Sequence, residues 1–388
     1  MFELSRSQRL ASLPPYLFEE IDRKKAAALR AGREIIDLGI GDPIEGPIPA
    51  VVEALSRAAR RPDTHGYSTG GTREFRQAIA RWFERRFGVS LDADEEILPL
   101  IGSKEGLGHL PLAVVDPGDR VLLPDPGYPV YTSATIFAGG EPVGWPLERS
   151  RGFLPDLGAL GTAHARLAFL NYPNNPTTAV TDAAFFAEAV AAARRAGTLL
   201  VNDAAYSEIT FDGYTAPSIL ASEGAREIAV EFHSLSKTFH MTGWRVAFAA
   251  GSRRAIAALR SLKSNHDSGI FKPVQIAAAE ALTEHYDGAV ASVREYYRVR
   301  RDRAVEGLRR AGCPIEAPRA TFFLWAPVPA GVGSLAFSGR LMDDAGVIVA
   351  PGAGFGAGGD GFVRLSMTSS LEGIEKAVAK IAEIAPWK

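Results

Sequence analysis

The sequence is poor in several features that would mark large classes of protein. Its single cysteine, Cys313, excludes an internal disulfide and is typical of a reducing compartment. No apolar run approaches the roughly 18 residues that a membrane-spanning helix needs. The first ten residues carry Glu3, Arg6 and Arg9 and lack the apolar centre of a secretory signal. We therefore expect a cytoplasmic protein without a membrane partner.

Charge and motif content narrow the function further. The 43 basic and 45 acidic side chains give a formal net charge of −2, so no nucleic-acid partner is expected. The seven histidines lack zinc-ligand spacing, and neither a nucleophile-elbow serine nor a Walker phosphate loop is present. A chain of 388 residues with 46% hydrophobic content can form a large core, and we expect two domains.

One segment between two apolar runs is unusually rich in polar groups. The runs are Ile228–Phe232 and Val246–Ala250, and the side chains between them include Ser234, Ser236, Lys237 and Arg245. A lysine between buried strands is desolvated, so its amine loses a proton more easily and becomes a nucleophile toward an aldehyde. The two serines and the arginine can hold a dianionic phosphate beside it. The pattern predicts pyridoxal phosphate bound covalently to the lysine.

Two further polar positions open turns directly after predicted strands. Ser103 follows the strand Glu96–Ile101 and a glycine, and it opens a helix whose free N–H groups and dipole can bind a phosphate. The alternative is an ordinary capping box between Ser103 and a nearby glutamate. Tyr128 follows the strand Asp119–Pro124, where it either stacks on a flat ring or forms part of the core wall.

The predicted strand Thr198–Asn202 ends in a carboxylate, Asp203, and Tyr206 follows three residues later. A buried carboxylate is costly without a positive partner, which a protonated pyridine nitrogen would supply. The alternative is an ordinary N-cap or turn aspartate. Upstream, the loop 171–177 holds two prolines and three amides, and its rigidity would present Asn175 as a donor to a ring oxygen.

Glycine and arginine mark positions nearer the two ends of the chain. Gly41 closes a short strand, either to let the backbone approach a ligand or as a plain turn. Arg364 lies within the strand Phe362–Ser366, either as a bidentate clamp for a substrate carboxylate or as a solvent-facing residue on an edge strand. The glycine-rich run 352–361 leads into this strand and not into a helix, which excludes a dinucleotide site and favours a mobile loop.

Taken together, these motifs resemble the class I and II pyridoxal-phosphate aminotransferases of fold type I, over nearly the whole chain. They are Gly102-Ser103-Lys104, Pro126-Gly127-Tyr128-Pro129, Asn174-Asn175-Pro176-Thr177, Asp203-Ala204-Ala205-Tyr206, Ser234-Leu235-Ser236-Lys237 and Arg245. The resemblance implies an α/β fold, with a large domain on a mostly parallel mixed sheet between helices and a smaller α+β domain. The expected bounds are 1–46 for an N-terminal arm that joins the small domain, 47–285 for the large domain and 286–388 for the small domain.

The resemblance also implies a role for each matching residue. Lys237 would bind the cofactor covalently and then move a proton at the substrate, while Asp203 would keep the pyridine nitrogen protonated. Asn175 and Tyr206 would donate to the ring oxygen, and Tyr128 would stack on the ring. The residues implied for the phosphate are Ser103, Lys104, Ser234, Ser236 and Arg245, and those implied for the substrate carboxylate are Gly41, Asn175 and Arg364.

Within this family the motifs are most similar to the LL-diaminopimelate aminotransferase group. The family resemblance implies a homodimer with shared active sites, in which Tyr67 reaches the phosphate in the neighbouring subunit. The narrower similarity implies that Asn265 approaches the cofactor or substrate from the partner chain and that Tyr16 closes over the site. By itself Tyr67 indicates only a loop aromatic. Two departures stand against a diaminopimelate substrate. The Tyr67 loop lacks an acidic residue for the distal amino group, and Thr178 stands where many relatives have glycine.

The expected reaction moves an amino group between an L-amino acid and a 2-oxo acid, with 2-oxoglutarate and glutamate as one pair. Diaminopimelate or alanine would be the other donor. Two alternatives stay open from the sequence. One is a β-eliminating lyase or decarboxylase that uses the same cofactor. The other is a non-catalytic protein that keeps the fold and only binds a ligand.

Overall fold

The computed structural model describes residues 4–13, 23, 25, 26, 30 and 32–387. Tyr16, and most of the helix expected over Tyr16–Arg30, lie outside these residues. The strands, in chain order, are β1 (Ile36–Asp37), β2 (Ile97–Leu100), β3 (Arg120–Asp125), β4 (Glu141–Pro146), β5 (Leu167–Leu170), β6 (Leu199–Asp203), β7 (Ala229–Ser234), β8 (Ala247–Gly251), β9 (Phe323–Pro327), β10 (Val347–Ile348), β11 (Ala350–Pro351) and β12 (Phe362–Ser366). The α-helices within the described residues are α1 (Gln8–Ala11), α2 (Pro49–Ala59), α3 (Arg73–Phe87), α4 (Ser103–Val114), α5 (Val130–Ala138), α6 (Gly158–Ala163), α7 (Ala183–Ala196), α8 (Ala225–Ile228), α9 (Leu235–Thr238), α10 (Arg253–His266), α11 (Lys272–Thr283), α12 (Tyr286–Arg310), α13 (Ser334–Ala345) and α14 (Leu371–Ile384).

Local sequence sets the ends of several helices. The side chains of Thr72, Asp182 and Ser370 accept hydrogen bonds from backbone N–H groups in the first turns of α3, α7 and α14. Gly88 and Gly197 end α3 and α7 in the left-handed conformation that favours glycine. The predictions that α3 begins after Thr72 and that these two glycines end their helices are confirmed.

Seven strands form the main sheet in the order β2-β8-β7-β6-β5-β3-β4. The strands from β7 to β4 are parallel, whereas β8 runs antiparallel to both of its neighbours. Helices cover such a sheet on both faces, so its strands are almost continuously apolar, and every residue of β5 is buried. The predicted α/β architecture with a mostly parallel mixed sheet is confirmed.

The second part of the structure contains smaller sheets. An antiparallel sheet has the order β11-β12-β9, and β1 pairs in parallel with β10. The long helix α12 links the two parts, because Ala289 and Val290 pack in a core beside the main sheet, whereas Tyr297 and Leu308 pack in the second core. The long, charged and amphipathic pattern over Ala289–Ala311 predicts a helix that bridges two domains, and the observed helix spans Tyr286–Arg310.

Two segments differ from the sequence prediction. The glycine-rich run 352–361 is not an open loop, because Gly352–Phe355 and Ala357–Gly359 are 3₁₀ turns whose first and last glycines are in contact. The sequence pattern predicts a helix over Arg253–Leu262, but α10 continues to His266, so Asn265 lies in its last turn. No helix in the described part of the chain combines the length and apolar character needed to cross a membrane.

Candidate active site

A cavity of about 1340 Å³ opens at the carboxyl ends of the parallel strands. It lies at the edge of the main sheet where α/β proteins generally bind ligands. Most of the residues singled out from the sequence line it: Gly41, Ser103, Lys104, Tyr128, Asn175, Asp203, Tyr206, Ser234, Ser236, Lys237, Arg245 and Arg364. The structure therefore brings together residues that are up to 323 positions apart in the chain, as Gly41 and Arg364 are.

Lys237 lies in the short helix α9, directly after β7. Its Nζ donates a hydrogen bond to the Gly41 carbonyl oxygen at 2.9 Å and lies 5.6 Å from the centre of the Phe322 ring. Burial, with smaller effects from Arg364 and Arg245, lowers the pKa of Lys237 to about 8, against an opposing attraction to Asp42. Near neutral pH the amine can therefore both lose and regain a proton.

Asp203 ends β6 and is only 5% exposed. Burial raises the pKa of its carboxyl group to about 6, although two hydrogen bonds act in the opposite direction. The Tyr131 hydroxyl donates to Oδ2 at 2.8 Å, and the Ala205 N–H donates to Oδ1 at 3.3 Å. A positive charge placed against this carboxylate would return it to its ionised form.

Tyr131 was missed in the sequence analysis. It lies in the first turn of α5, fully buried, and its ring stacks on Phe169 with centroids 4.7 Å apart. Burial and the neighbouring Asp203 carboxylate raise the pKa of its hydroxyl, so it remains a hydrogen-bond donor. Its sequence neighbours indicate only that it lies near the start of a helix, which begins at Val130.

The loop after β5 is held by its own amides. The Asn171 side chain donates to the Asp203 carbonyl oxygen at 2.6 Å and accepts from the Asn175 N–H at 2.8 Å. Asn174 is buried and accepts hydrogen bonds from both the N–H and the hydroxyl of Thr177. Asn171 therefore positions Asn175 relative to Asp203, a role that the sequence analysis did not assign to it.

Arg364 lies in β12, the central strand of its sheet, and is 5% exposed. Its guanidinium donates to Asn175 Oδ1 and to the Gly39 carbonyl oxygen, both at 2.8 Å. It also lies over the rings of Phe323 and Phe355, at 4.1 and 4.7 Å from their centres. The alternative of a solvent-facing arginine on an edge strand is wrong, and the charge borders the cavity instead.

The start of α4 has the features of an anion site. Its N-cap is Gly102, which has no side chain to accept a hydrogen bond, and Glu105 instead accepts from the Ile101 N–H. Ser103 is therefore the first residue of the helix and not its cap, so the capping-box alternative is wrong in this respect. A Cβ on Gly102 would lie 2.2 Å from Nη2 of Arg245, so glycine is what allows the guanidinium to lie against this turn.

Three further residues predicted from the sequence also line the cavity: Ser234, Tyr128 and Tyr206. Ser234 caps α9 by accepting a hydrogen bond from the Ser236 N–H at 3.3 Å. Tyr128 meets the Tyr131 ring edge-on, with centroids 5.7 Å apart. Tyr206 packs edge-on against Phe322 and Phe323, and burial raises the pKa of its hydroxyl.

Two predicted site residues do not line the cavity. Tyr67 is 86% exposed, and Asn265 is exposed with its amide donating to the Ser261 carbonyl oxygen. The segments that carry them lie side by side, because Ser68 and Gly269 form a parallel bridge. Tyr16, the third predicted residue in this group, lies outside the described residues.

Comparison with known proteins gives the same family over nearly the whole chain. The model of the family "Aminotransferase class I and II" matches residues 33–381. A relative from Moorella thermoacetica named "LL-diaminopimelate aminotransferase" is 48% identical over 386 residues, which are 98% of both chains. A relative of the same name from Desulforudis audaxviator is 50% identical over 380 residues, covering 97% of this chain and 96% of the other.

Solved structures agree with this assignment. Substrate-bound BacF from Bacillus subtilis is 36% identical, with a TM-score of 0.92 over 100% of this chain and 99% of that one. A probable N-succinyldiaminopimelate aminotransferase from Thermus thermophilus is 40% identical, with a TM-score of 0.88 over 94% and 99% of the two chains. The predicted fold type I architecture is thus confirmed, and the chain belongs to the class I and II aminotransferases and is an enzyme of that family.

Proposed function

We propose that this aminotransferase uses pyridoxal phosphate to exchange an amino group between an L-amino acid and a 2-oxo acid, with glutamate and 2-oxoglutarate as one pair. The observation that carries the proposal is the content of one cavity. It combines a lysine of lowered pKa, a buried aspartate of raised pKa and a buried arginine, which are Lys237, Asp203 and Arg364. These are the groups needed to hold the cofactor, to move a proton and to bind a carboxylate.

The residues fit the cofactor at both of its ends. The N–H groups at the start of α4, with Ser234, Ser236 and Arg245, would hold its phosphate. Asp203 would face the ring nitrogen, where a positive charge would offset the cost of burying the carboxylate. Tyr128 would stack on the ring. When bound, the cofactor supplies the electron sink for the carbanion formed at the substrate carbon.

Lys237 would carry the proton in this reaction. A pKa of about 8 lets the amine act first as a general base and then as a general acid near neutral pH. Arg364 would hold the substrate carboxylate in the same cavity, with Asn175 fixed against it by a 2.8 Å hydrogen bond. A substrate bound in this way would present its α-carbon to the lysine side of the cavity.

LL-Diaminopimelate is the amino donor that the relatives suggest. It carries an amino group and a carboxylate at its distal end, and two exposed charges of opposite sign, Asp42 and Lys104, also line the cavity. Apolar side chains, including Leu13, Phe137 and Leu335, line the same cavity and suit the methylene chain between the two ends. The lack of an acidic residue in the Tyr67 loop makes Asp42 the candidate for the distal amino group.

We further propose that the chain forms a homodimer with shared active sites. Tyr67 and Asn265 lie outside the cavity of their own chain, and both are exposed on adjacent segments. A mixed dimer tests this arrangement. If Lys237→Ala and Tyr67→Ala subunits are combined, one site carries both defects and the other carries neither, so the mixture should be more active than either variant alone. Equal or lower activity of the mixture would contradict shared sites.

The division into domains also remains a proposal, with a large domain over 47–285 and a small one formed by 286–388 and the N-terminal arm. Two separate cores support it, one beside the main sheet and one around β9 and α14. The pairing of β1 with β10 supports the assignment of the arm to the small domain.

A half-reaction screen tests the reaction and the substrate together. The purified protein, loaded with cofactor, is mixed with single amino acids, including glutamate, alanine, aromatic residues and LL-diaminopimelate. The cofactor absorbance should change with glutamate and with the physiological donor, and 2-oxoglutarate should reverse the change. Protein that stays colourless when supplied with the cofactor would contradict the proposal. Pyruvate and ammonia formed without an oxo-acid acceptor would favour a lyase instead.

A further inference from the structure

The glycine-rich segment 352–359 connects the two parts of the molecule at the mouth of the cavity. The Gly127 N–H donates to the Phe355 carbonyl oxygen at 2.7 Å, and the Gly358 N–H donates to Asp125 Oδ1 at 3.0 Å. Asp125 is the last residue of β3 and Gly127 lies in the turn after it, whereas the segment leads from β11 to β12 in the small sheet. We call these two hydrogen bonds the latch.

The packing around the latch leaves no room for a side chain at Gly356 or at Gly358. A Cβ on Gly356 would lie 2.1 Å from Asp125 Oδ1, and one on Gly358 would lie 2.8 Å from the Asp125 carbonyl oxygen. Gly356 also has a φ of 126°, which L-residues rarely adopt. The glycines therefore permit a close approach of two backbones, and this accounts for their number better than mobility does.

The segment is also anchored on its own side. The Ser334 hydroxyl, at the start of α13, accepts from the Ala353 N–H at 3.1 Å and donates to Asp360 Oδ1 at 2.7 Å. Phe355, whose carbonyl oxygen takes part in the latch, is 5% exposed. Its ring contacts Trp325 and lies 4.7 Å from the guanidinium carbon of Arg364.

The latch thus joins two residues of the proposed reaction. On one side, Phe355 supports Arg364, and both line the cavity. On the other side, Gly127 immediately precedes Tyr128, the residue proposed to stack on the cofactor ring. We propose that Asp125 is a positioning residue, which holds the segment so that Phe355 fixes the Arg364 guanidinium for the carboxylate shared by amino and oxo acids.

This inference depends on the proposed function of Arg364, so the experiment separates the two. Arg364→Ala, Asp125→Ala and Asp125→Asn are compared by steady-state kinetics with the amino donor and the oxo acid. Asp125→Ala should raise KM for both substrates by about tenfold and change kcat by less than about threefold, because a group common to both is misplaced. Asp125→Asn keeps an oxygen that can accept from the Gly358 N–H, and its KM should remain within about twofold of wild type.

Asp156 provides a matched control. Its Oδ1 accepts from the Gly158 N–H at 3.0 Å, the same kind of bond at the same distance, in a surface turn that does not line the cavity. Asp156→Ala should leave both KM values unchanged. Hydrogen exchange on the cofactor-free proteins adds a readout independent of activity. Exchange over 353–359 should be faster in Asp125→Ala and unchanged in Asp125→Asn and Asp156→Ala.

The outcomes separate clearly. If Arg364→Ala raises KM and Asp125→Ala does not, the proposed function stands and the latch inference is wrong. If Arg364→Ala leaves KM unchanged, the carboxylate site itself is wrong. An Asp125→Asn variant as defective as Asp125→Ala would also overturn the inference. If Asp125→Ala does not fold, Phe355→Leu replaces it, and a KM within about twofold of wild type in that folded variant would overturn the inference.

Discussion

The two parts of the molecule supply the cavity in different ways. The main sheet contributes residues from the ends of its strands and from the helices that follow them, among them Ser103, Asp203 and Lys237. The small antiparallel sheet contributes one arginine from the middle of its central strand, Arg364. The first set lies where parallel strands end and helices begin, whereas the second depends on how the two parts of the chain pack against each other.

This difference teaches which functions each part can serve. A strand end followed by a helix start fixes a side chain and exposes N–H groups, so it suits a cofactor that stays bound. The position of Arg364 is set by Asn175 and Gly39 across the two parts and by Phe355 beneath it. We therefore expect changes in the main sheet to affect chemistry and changes in the small sheet to affect substrate affinity.

The largest effect should follow from Lys237→Ala. The variant would lack the proposed covalent link to the cofactor and the proposed proton carrier, so turnover should fall by about four orders of magnitude or more. Cofactor absorbance and single-turnover amino transfer measure the two losses separately. Lys237→Arg, which keeps the charge but not the nucleophile, should be equally inactive. Transamination at the wild-type rate in Lys237→Ala would contradict the expectation that residues of the main sheet carry out the chemistry.

Asp203→Asn should lower kcat by about two to four orders of magnitude while the cofactor still binds, because the ring nitrogen loses its charged partner.

The same variant should make the cofactor-free protein more stable at pH 8. The raised pKa of about 6 means that the folded state holds a proton between about pH 4 and 6 that the unfolded state has lost. Stability of the wild type should therefore fall as pH rises through this range, by on the order of 3 kcal/mol.

Denaturant unfolding of the cofactor-free wild type and Asp203→Asn at pH 4 and at pH 8 measures how much the ionisation of Asp203 changes the free energy of unfolding. The wild type should lose stability between the two pH values, and Asp203→Asn should lose less because it cannot ionise. Equal pH dependence in both proteins would show that the buried carboxylate is stabilised by groups other than a bound cofactor.

Arg364→Ala tests the small sheet. KM for amino and oxo acids should rise together by about 10- to 100-fold, because both share the carboxylate that the arginine is proposed to bind, and kcat should change less. Arg301 is a matched control: it is also 5% exposed, contacts Asp212 and Phe211, and does not line the cavity. Arg301→Ala should lower stability without raising KM. A large fall in kcat at unchanged KM in Arg364→Ala would contradict the expectation that the small sheet affects substrate affinity and not chemistry.

Tyr131→Phe should have the smallest effect. Its hydroxyl donates to Asp203 Oδ2 and lowers the pKa of that carboxyl, so its loss should move the acid limb of the pH–rate profile upward by about one unit. The rate at pH 8 should change by less than about threefold. Tyr214→Phe removes a hydroxyl that donates to the Thr181 carbonyl oxygen at 2.8 Å, and it should leave the limb in place.

Much of the main-sheet contribution could be predicted from the sequence, because its signals are local. An apolar strand followed within a few residues by Asp203 or Ser103 predicts both the element and the position of the side chain. Tyr131 could not be found in this way, since its hydrogen bond to Asp203 joins residues 72 positions apart. Its sequence neighbours indicate only a helix.

The small sheet shows more clearly which contacts cannot be predicted from the sequence. Arg364 was identified because a charge within an apolar strand is unusual, but its contacts with Gly39 and Asn175 are not visible in a one-dimensional pattern. The glycines of 352–361 were interpreted as a mobile loop. Their use is a close approach to Asp125, a residue more than 200 positions away, and composition cannot distinguish flexibility from tight packing.

Gly102 has a consequence for anyone who engineers this protein. Replacing glycine can raise stability only where the new residue suits the backbone, and a positive φ strains most replacements. Gly88 and Gly197 have nothing within 4 Å of an added Cβ, so asparagine, which tolerates positive φ better than most residues, is the least strained replacement there. Gly102 has a similar φ of 78°, yet even alanine would collide with the arginine beside it. Backbone angle alone would place the three glycines in one category, but a side chain at Gly102 would also force the Arg245 guanidinium away from the start of α4.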